Sequence, residues 1–116
     1  MSQGKIFNWD GVENYTPSYP GIAVKVVDGK NMQLVWAEFQ PGATYPLHSH
    51  EREQFSFMVS GRMRLTVGEE VMEIGPGDMW HAPGNVVHGG EILGDEPVVF
   101  VDVYSPPAEE YKKDGE

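Results

Sequence analysis

His48, His50, Gln54 and His88 are four side chains of this 116-residue chain whose types and spacing suit a single divalent metal ion. Imidazole nitrogens with a carboxamide oxygen accept Zn, Ni, Fe, Mn or Cu, and spacing does not choose among them. Because every member of the set is neutral, a bound ion keeps its full charge. That favours an anionic ligand and Lewis-acid chemistry over stabilisation of an oxidised metal. Gln54 either completes the set or lines the pocket beside three ligating histidines. A second reactive group is Asp102, a carboxylate within the apolar run Val98-Val99-Phe100-Val101-Asp102-Val103-Tyr104. Burial raises the pKa of such a group and a nearby cation lowers it, so the two pressures can set it for proton transfer. The structural alternative is an aspartate bonded to backbone or facing solvent at a strand end.

Short β-rich runs, separated every eight to twelve residues by turn residues drawn from 14 glycines and 9 prolines, are expected to position these groups. Strands are expected over 22–27, 32–39, 45–50, 54–59, 63–67, 71–74, 78–82, 88–93 and 98–104, and no segment has helical periodicity. Gly75-Pro76-Gly77-Asp78 suits a type II turn, with proline and glycine at the central positions. Gly68-Glu69 suits a two-residue hairpin with glycine first. Alternation along a strand places His48 and His50 on one face, with Gln54, Ser56 and Met58 continuing it. Phe55 and Phe57 point the other way, and Glu51 and Glu53 have the wrong parity for the site. The same rule groups Val98, Phe100, Asp102 and Tyr104.

Composition bounds the rest. A chain of this length is one domain, and 40% apolar residues suffice for one core. There is no cysteine, which excludes disulfides, thiolate metal sites and thiol nucleophiles. A net charge of −10 disfavours nucleic acid as a partner. The apolar runs are far shorter than the roughly 20 residues of a membrane helix. The first residues lack the apolar core of a signal peptide, so a cytoplasmic location is expected.

These segments resemble the cupin superfamily. Its first motif is matched by Gly42, His48, His50, Gln54 in place of the usual glutamate, and Gly61. Its second is matched by Gly77, Pro83 and His88, with Asn85 where glycine is usual. The resemblance implies an all-β, single-domain jelly-roll barrel over 21–104, an N-terminal arm over 1–20 and a polar tail over 105–116. It also implies a divalent metal on His48, His50, Gln54 and His88.

Within the cupins, Gln54 and the ending Asp102-Val103-Tyr104-Ser105-Pro106 resemble the pectin-degradation branch, which opens unsaturated uronates into linear keto acids. By that resemblance the metal holds the substrate carboxylate and a hydroxyl, Asp102 moves a proton, and Tyr104 lines the sugar face. The branch carries an arginine shortly after the Ser-Pro, where this chain has Ala108. Arg52 either substitutes for it or is a solvated charge beside Glu51 and Glu53. His81, Trp36 and Trp80 have less specific settings, in which a structural role competes with catalysis or sugar stacking. The arm carries Phe7, Trp9, Tyr15 and Tyr19 and is expected to pack across a second subunit of a homodimer. Three function classes follow. They are a metal-dependent lyase or isomerase acting on a small anionic, sugar-like ligand, an oxygen-using dioxygenase, and a non-catalytic binding module.

Overall fold

The computed structural model describes residues 4–16 and 19–108. Nine strands follow in order: β1 Ile22–Asp28, β2 Gln33–Phe39, β3 Thr44–His48, β4 Glu53–Ser60, β5 Arg62–Val67, β6 Glu70–Ile74, β7 Met79–Ala82, β8 His88–Leu93 and β9 Val98–Ser105. They form two antiparallel sheets, ordered β1-β2-β9-β4-β7 and β3-β8-β5-β6. The alternating sequence pattern buries one face of each sheet. In β4, Gln54, Ser56 and Met58 are buried while Phe55 and Phe57 face outward.

Between the sheets, Phe100 stacks on Phe39 at 5.5 Å and meets the edge of Trp80 at 5.3 Å. Met58, Met63, Leu65 and Ile74 fill the same layer. Removing these large apolar surfaces from water is the main force holding the two sheets face to face. A second cluster, Val26, Val35, Tyr104 and Ala108, closes the other end of the sandwich. Ala108 is only 1% exposed, and its N–H donates to Gln33 Oε1 at 3.1 Å. The first residues after β9 therefore lie packed against the barrel. Residues 109–116 of the expected tail lie outside the described residues.

The turns follow the chemistry of their residues. Gly77 has φ +92° and Asp78 N–H donates to Gly75 O at 3.0 Å, as a type II turn requires. Val67 pairs with Glu70 across Gly68-Glu69, and Gly68 takes φ +59°. Asn85 has φ +68°, and its N–H donates to His50 O at 2.7 Å. Asparagine is among the few residues that enter this left-handed region at low cost, which explains how it replaces the usual glycine.

One strand departs from expectation. A strand over 45–50 would carry both His48 and His50, but β3 ends at His48 and contains an irregularity between Tyr45 and His48. Tyr45 pairs with Gly90 and His48 with His88, so three steps on β3 oppose two on β8. Such a bulge resets the alternation and turns both Tyr45 and His48 inward. His50 reaches the interior from the segment linking β3 to β4.

Gly61 gives the fold's sharpest test. Its φ is +83°, and a Cβ there would sit 2.5 Å from Pro97 O. Gly61→Ala is expected to lose more than about 2 kcal/mol in a denaturant titration, through left-handed strain plus the clash. Asn85→Gly, whose backbone needs only the same left-handed freedom, should stay within about 1 kcal/mol of the parent.

Candidate metal centre and active site

Two strand pairs facing each other across the barrel build the site. In one sheet, the β3–β8 register places His48 opposite His88. In the other, the β4–β9 register places Gln54 opposite Tyr104 and Ser56 opposite Asp102. His50, from the link between β3 and β4, completes the trio. One ring nitrogen from each of His48, His50 and His88 lies within 4.8 Å of the others.

Backbone carbonyls decide which nitrogen that is. His48 Nδ1 lies 2.8 Å from Pro46 O, His50 Nδ1 2.9 Å from Arg52 O, and His88 Nδ1 2.9 Å from Val86 O. A carbonyl only accepts, so each Nδ1 carries the proton and each neutral ring is left with a lone pair on Nε2. His88 Nε2 is buried and has no hydrogen-bond partner. His50 Nε2 faces Gln54 Oε1 at 3.1 Å, which sets one acceptor against another. A divalent cation satisfies both atoms, and the residues present therefore fit a transition metal. The trio is built to hold one.

The orientation of Gln54 is fixed from its other side. Its Nε2 donates to Ser56 Oγ at 2.8 Å and to Asp102 Oδ1 at 3.0 Å. An ionised carboxylate accepts only, so the amide nitrogen faces Asp102 and the amide oxygen faces His50. Asp102 Oδ1 also accepts from Ser56 at 2.5 Å, and Oδ2 accepts from the Tyr104 hydroxyl at 3.1 Å. Asp102, Gln54 and Ser56 are at most 3% exposed.

Burial dominates the electrostatics. Desolvation raises Asp102 to about 6, against the opposing hydrogen bonds from Ser56, Tyr104 and Gln54 and the charge of Arg52. Desolvation also lowers His88 to about 4, helped by its histidine neighbours and by Arg52. His50 is lowered by burial first and then by Arg52. Both rings are thus held in the neutral form that binds a metal.

A cavity of about 860 Å³ adjoins the site. His48, Arg52, Asp102 and Tyr104 form its polar end, with Tyr15 and Tyr19 of the N-terminal arm at its wall. Arg52 is half-buried, and its guanidinium lies 4.5 Å from the Tyr104 ring centroid. The arginine expected as either a substitute clamp or a solvated charge therefore faces the cavity. Its parity with positions 48, 50 and 54 was the available signal. Ala108 sits behind Tyr104 in the apolar cluster.

The other singled-out residues lie elsewhere. His81 is on the outer face, 2.6 Å from Glu53 and stacked on Phe55. Trp80 belongs to the core, and Trp36 carries the Lys25 ammonium at 5.5 Å from its ring. Tyr15 and Tyr19 border the cavity of their own barrel, and Tyr19 and Phe7 are both largely exposed. Parity placed Ser56 on the site face, but the bond from its hydroxyl to Asp102 was not visible in the sequence.

The raised Asp102 pKa has a definite sign. Its folded value of about 6 exceeds the ordinary 3.8, so this group's contribution favours folding at low pH and is lost as pH rises from about 4 through about 6. In metal-free protein, Asp102→Asn is therefore expected to raise stability above pH 6 by about 1–3 kcal/mol, with the gain vanishing near pH 4. Urea titrations at the two pH values measure this. His88 has the opposite sign, its contribution being lost as pH falls from 6.5 towards 4. ¹⁵N spectra of the metal-free protein should show a Nδ1-protonated His88 ring that titrates near pH 4.

Residues 35–104 match the cupin domain model, and this span covers more than half of the chain. An uncharacterized protein of Streptomyces coelicolor is 28% identical over 103 residues, covering 89% of this chain and 97% of that one. Oxalate decarboxylase of Bacillus subtilis is 29% identical over 80 residues, but that match covers only 20% of its length. Among solved structures, KdgF from a Halomonas species superposes with a TM-score of 0.82 at 26% identity, covering 93% of this chain and 98% of that one. An RmlC-like cupin from Shewanella frigidimarina gives the same TM-score at 23% identity, covering 97% and 100%, and shows the fold alone. Matched motifs, two facing antiparallel sheets and a histidine trio at their mouth thus converge, and the chain belongs to the cupin family.

Proposed function

We propose that this protein is a metal-dependent lyase or isomerase acting on a sugar acid or related small carboxylate, with His48, His50, Gln54 and His88 holding the metal and Asp102 carrying the proton. The observation that carries this reading is Asp102 itself. It is a fully buried carboxylate that borders the cavity beside the trio, accepts three side-chain hydrogen bonds and has a pKa raised to about 6. Proton transfer is most efficient when the group's pKa lies near the working pH.

Each residue then has a distinct task. Bound metal supplies Lewis acidity towards a substrate oxygen. Arg52, at the polar end of the cavity, offsets the charge of a substrate carboxylate in place of the arginine that Ala108 lacks. Ser56 and Gln54 hold the Asp102 carboxylate in one orientation, and the hydroxyl of Tyr104 fixes its second oxygen. Opening an unsaturated uronate moves one proton from a hydroxyl to a carbon with no net oxidation, so one carboxylate that accepts and returns a proton suffices. The likeness to KdgF, together with the resemblance of Gln54 and the Asp102-Val103-Tyr104 ending to the pectin-degradation branch, supports such an acid as the first substrate to try.

A second reading, a dioxygenase, draws on the three-histidine set and on the likeness to oxalate decarboxylase, a protein with Mn(II) centres. Oxygen uptake separates the two, since the proton-transfer reading requires none.

Metal-loaded protein incubated with unsaturated galacturonate or mannuronate should bleach the enol-ether ultraviolet absorbance. Asp102→Asn should cut that rate by about 10²–10⁴-fold while metal content stays at the parental level. Activity surviving in Asp102→Asn would remove the aspartate from the chemistry.

A further inference from the structure

One wall of the cavity is apolar, while His48, Arg52, Asp102 and Tyr104 gather at one end and Thr44 and the hydroxyls of Tyr15, Tyr19 and Tyr45 supply further polar atoms. Ile22, Val24, Val35, Ala37, Phe39 and Phe100 form that wall, from neighbouring positions of β1, β2 and β9. None of these six side chains can donate or accept a hydrogen bond. A sugar acid carries hydroxyls around its whole ring, and each one turned to this wall without a partner weakens binding. Its size points the same way. At about 860 Å³ the cavity lies near the upper end of the roughly 300–1,000 Å³ typical of small-molecule pockets. A single sugar ring leaves much of that space to water held against valine, alanine and phenylalanine.

We infer that the acid this site takes is an amphipathic carboxylate, with its charged head at Arg52 and the histidine trio and a ring-bearing apolar body lying along Val24, Val35, Ala37 and Phe39. This rests on the small-carboxylate reading above and selects the related carboxylates within it over fully hydroxylated sugar acids. Tyr15 and Tyr19 add aromatic surface from the N-terminal arm to the same chamber. The substitution of Ala108 for the branch's arginine is consistent with this. Position 108 is buried against Val26, Val35 and Tyr104, and an alanine there supplies no second cationic clamp.

The test is calorimetric titration of the metal-loaded protein with phenylacetate, 3-phenylpropionate, 4-phenylbutyrate and D-galacturonate. Each buried methylene contributes about 0.8 kcal/mol, so Kd should fall about fourfold per added CH₂ along the phenyl series. All three phenyl acids should bind more tightly than galacturonate. Val24→Thr keeps the side-chain shape but adds a hydroxyl to the apolar wall, and should narrow the preference of 4-phenylbutyrate over galacturonate by about threefold or more. Tighter binding of galacturonate, or a series flat in chain length, overturns the inference and leaves the small-carboxylate reading standing. Failure of both kinds of acid to bind protein that retains its metal overturns both.

Discussion

Three histidines commit their Nδ1 protons to backbone carbonyls two residues away, and everything at the barrel mouth follows from that commitment. It leaves three Nε2 lone pairs directed into a small space with no proton to share. Gln54 adds a fourth acceptor, because Ser56 and Asp102 hold its amide nitrogen on the far side. Converging acceptors repel one another, and burial denies them water. A cation relieves the conflict, so this polar cluster is more stable as a metal site than as an empty one.

The same geometry links the metal site to the proposed proton carrier, Asp102. One amide, that of Gln54, touches His50 with its oxygen and Asp102 with its nitrogen. Asp102 would be a poor place to bury a charge without the three donors that surround it. Even with them, desolvation keeps its pKa well above that of an ordinary aspartate. A metal on the trio would draw that value down again, so the proton affinity of Asp102 depends on occupancy of the neighbouring centre.

Much of this was legible in the sequence because local rules governed it. Glycine and proline spacing located the strands, and the two-residue alternation sorted Gln54, Ser56 and Met58 from Phe55 and Phe57. Alternation failed at β3, where the bulge before His48 breaks the period and leaves His50 outside the strand. The Ser56–Asp102 pair was illegible for another reason. It joins residues 46 apart, and only the β4–β9 register brings them together. Burial of Ala108 likewise depends on the chain folding back over β1 and β2, for which no local pattern exists.

The central claim is that Gln54 and the three histidines share one ion. Crystals grown with Mn(II) or Zn(II), measured at the metal's absorption edge, test it most directly. The account predicts one anomalous peak per chain, enclosed by Nε2 of His48, His50 and His88 and by Oε1 of Gln54. A peak elsewhere, no peak, or a Gln54 amide whose nitrogen faces the ion would contradict it.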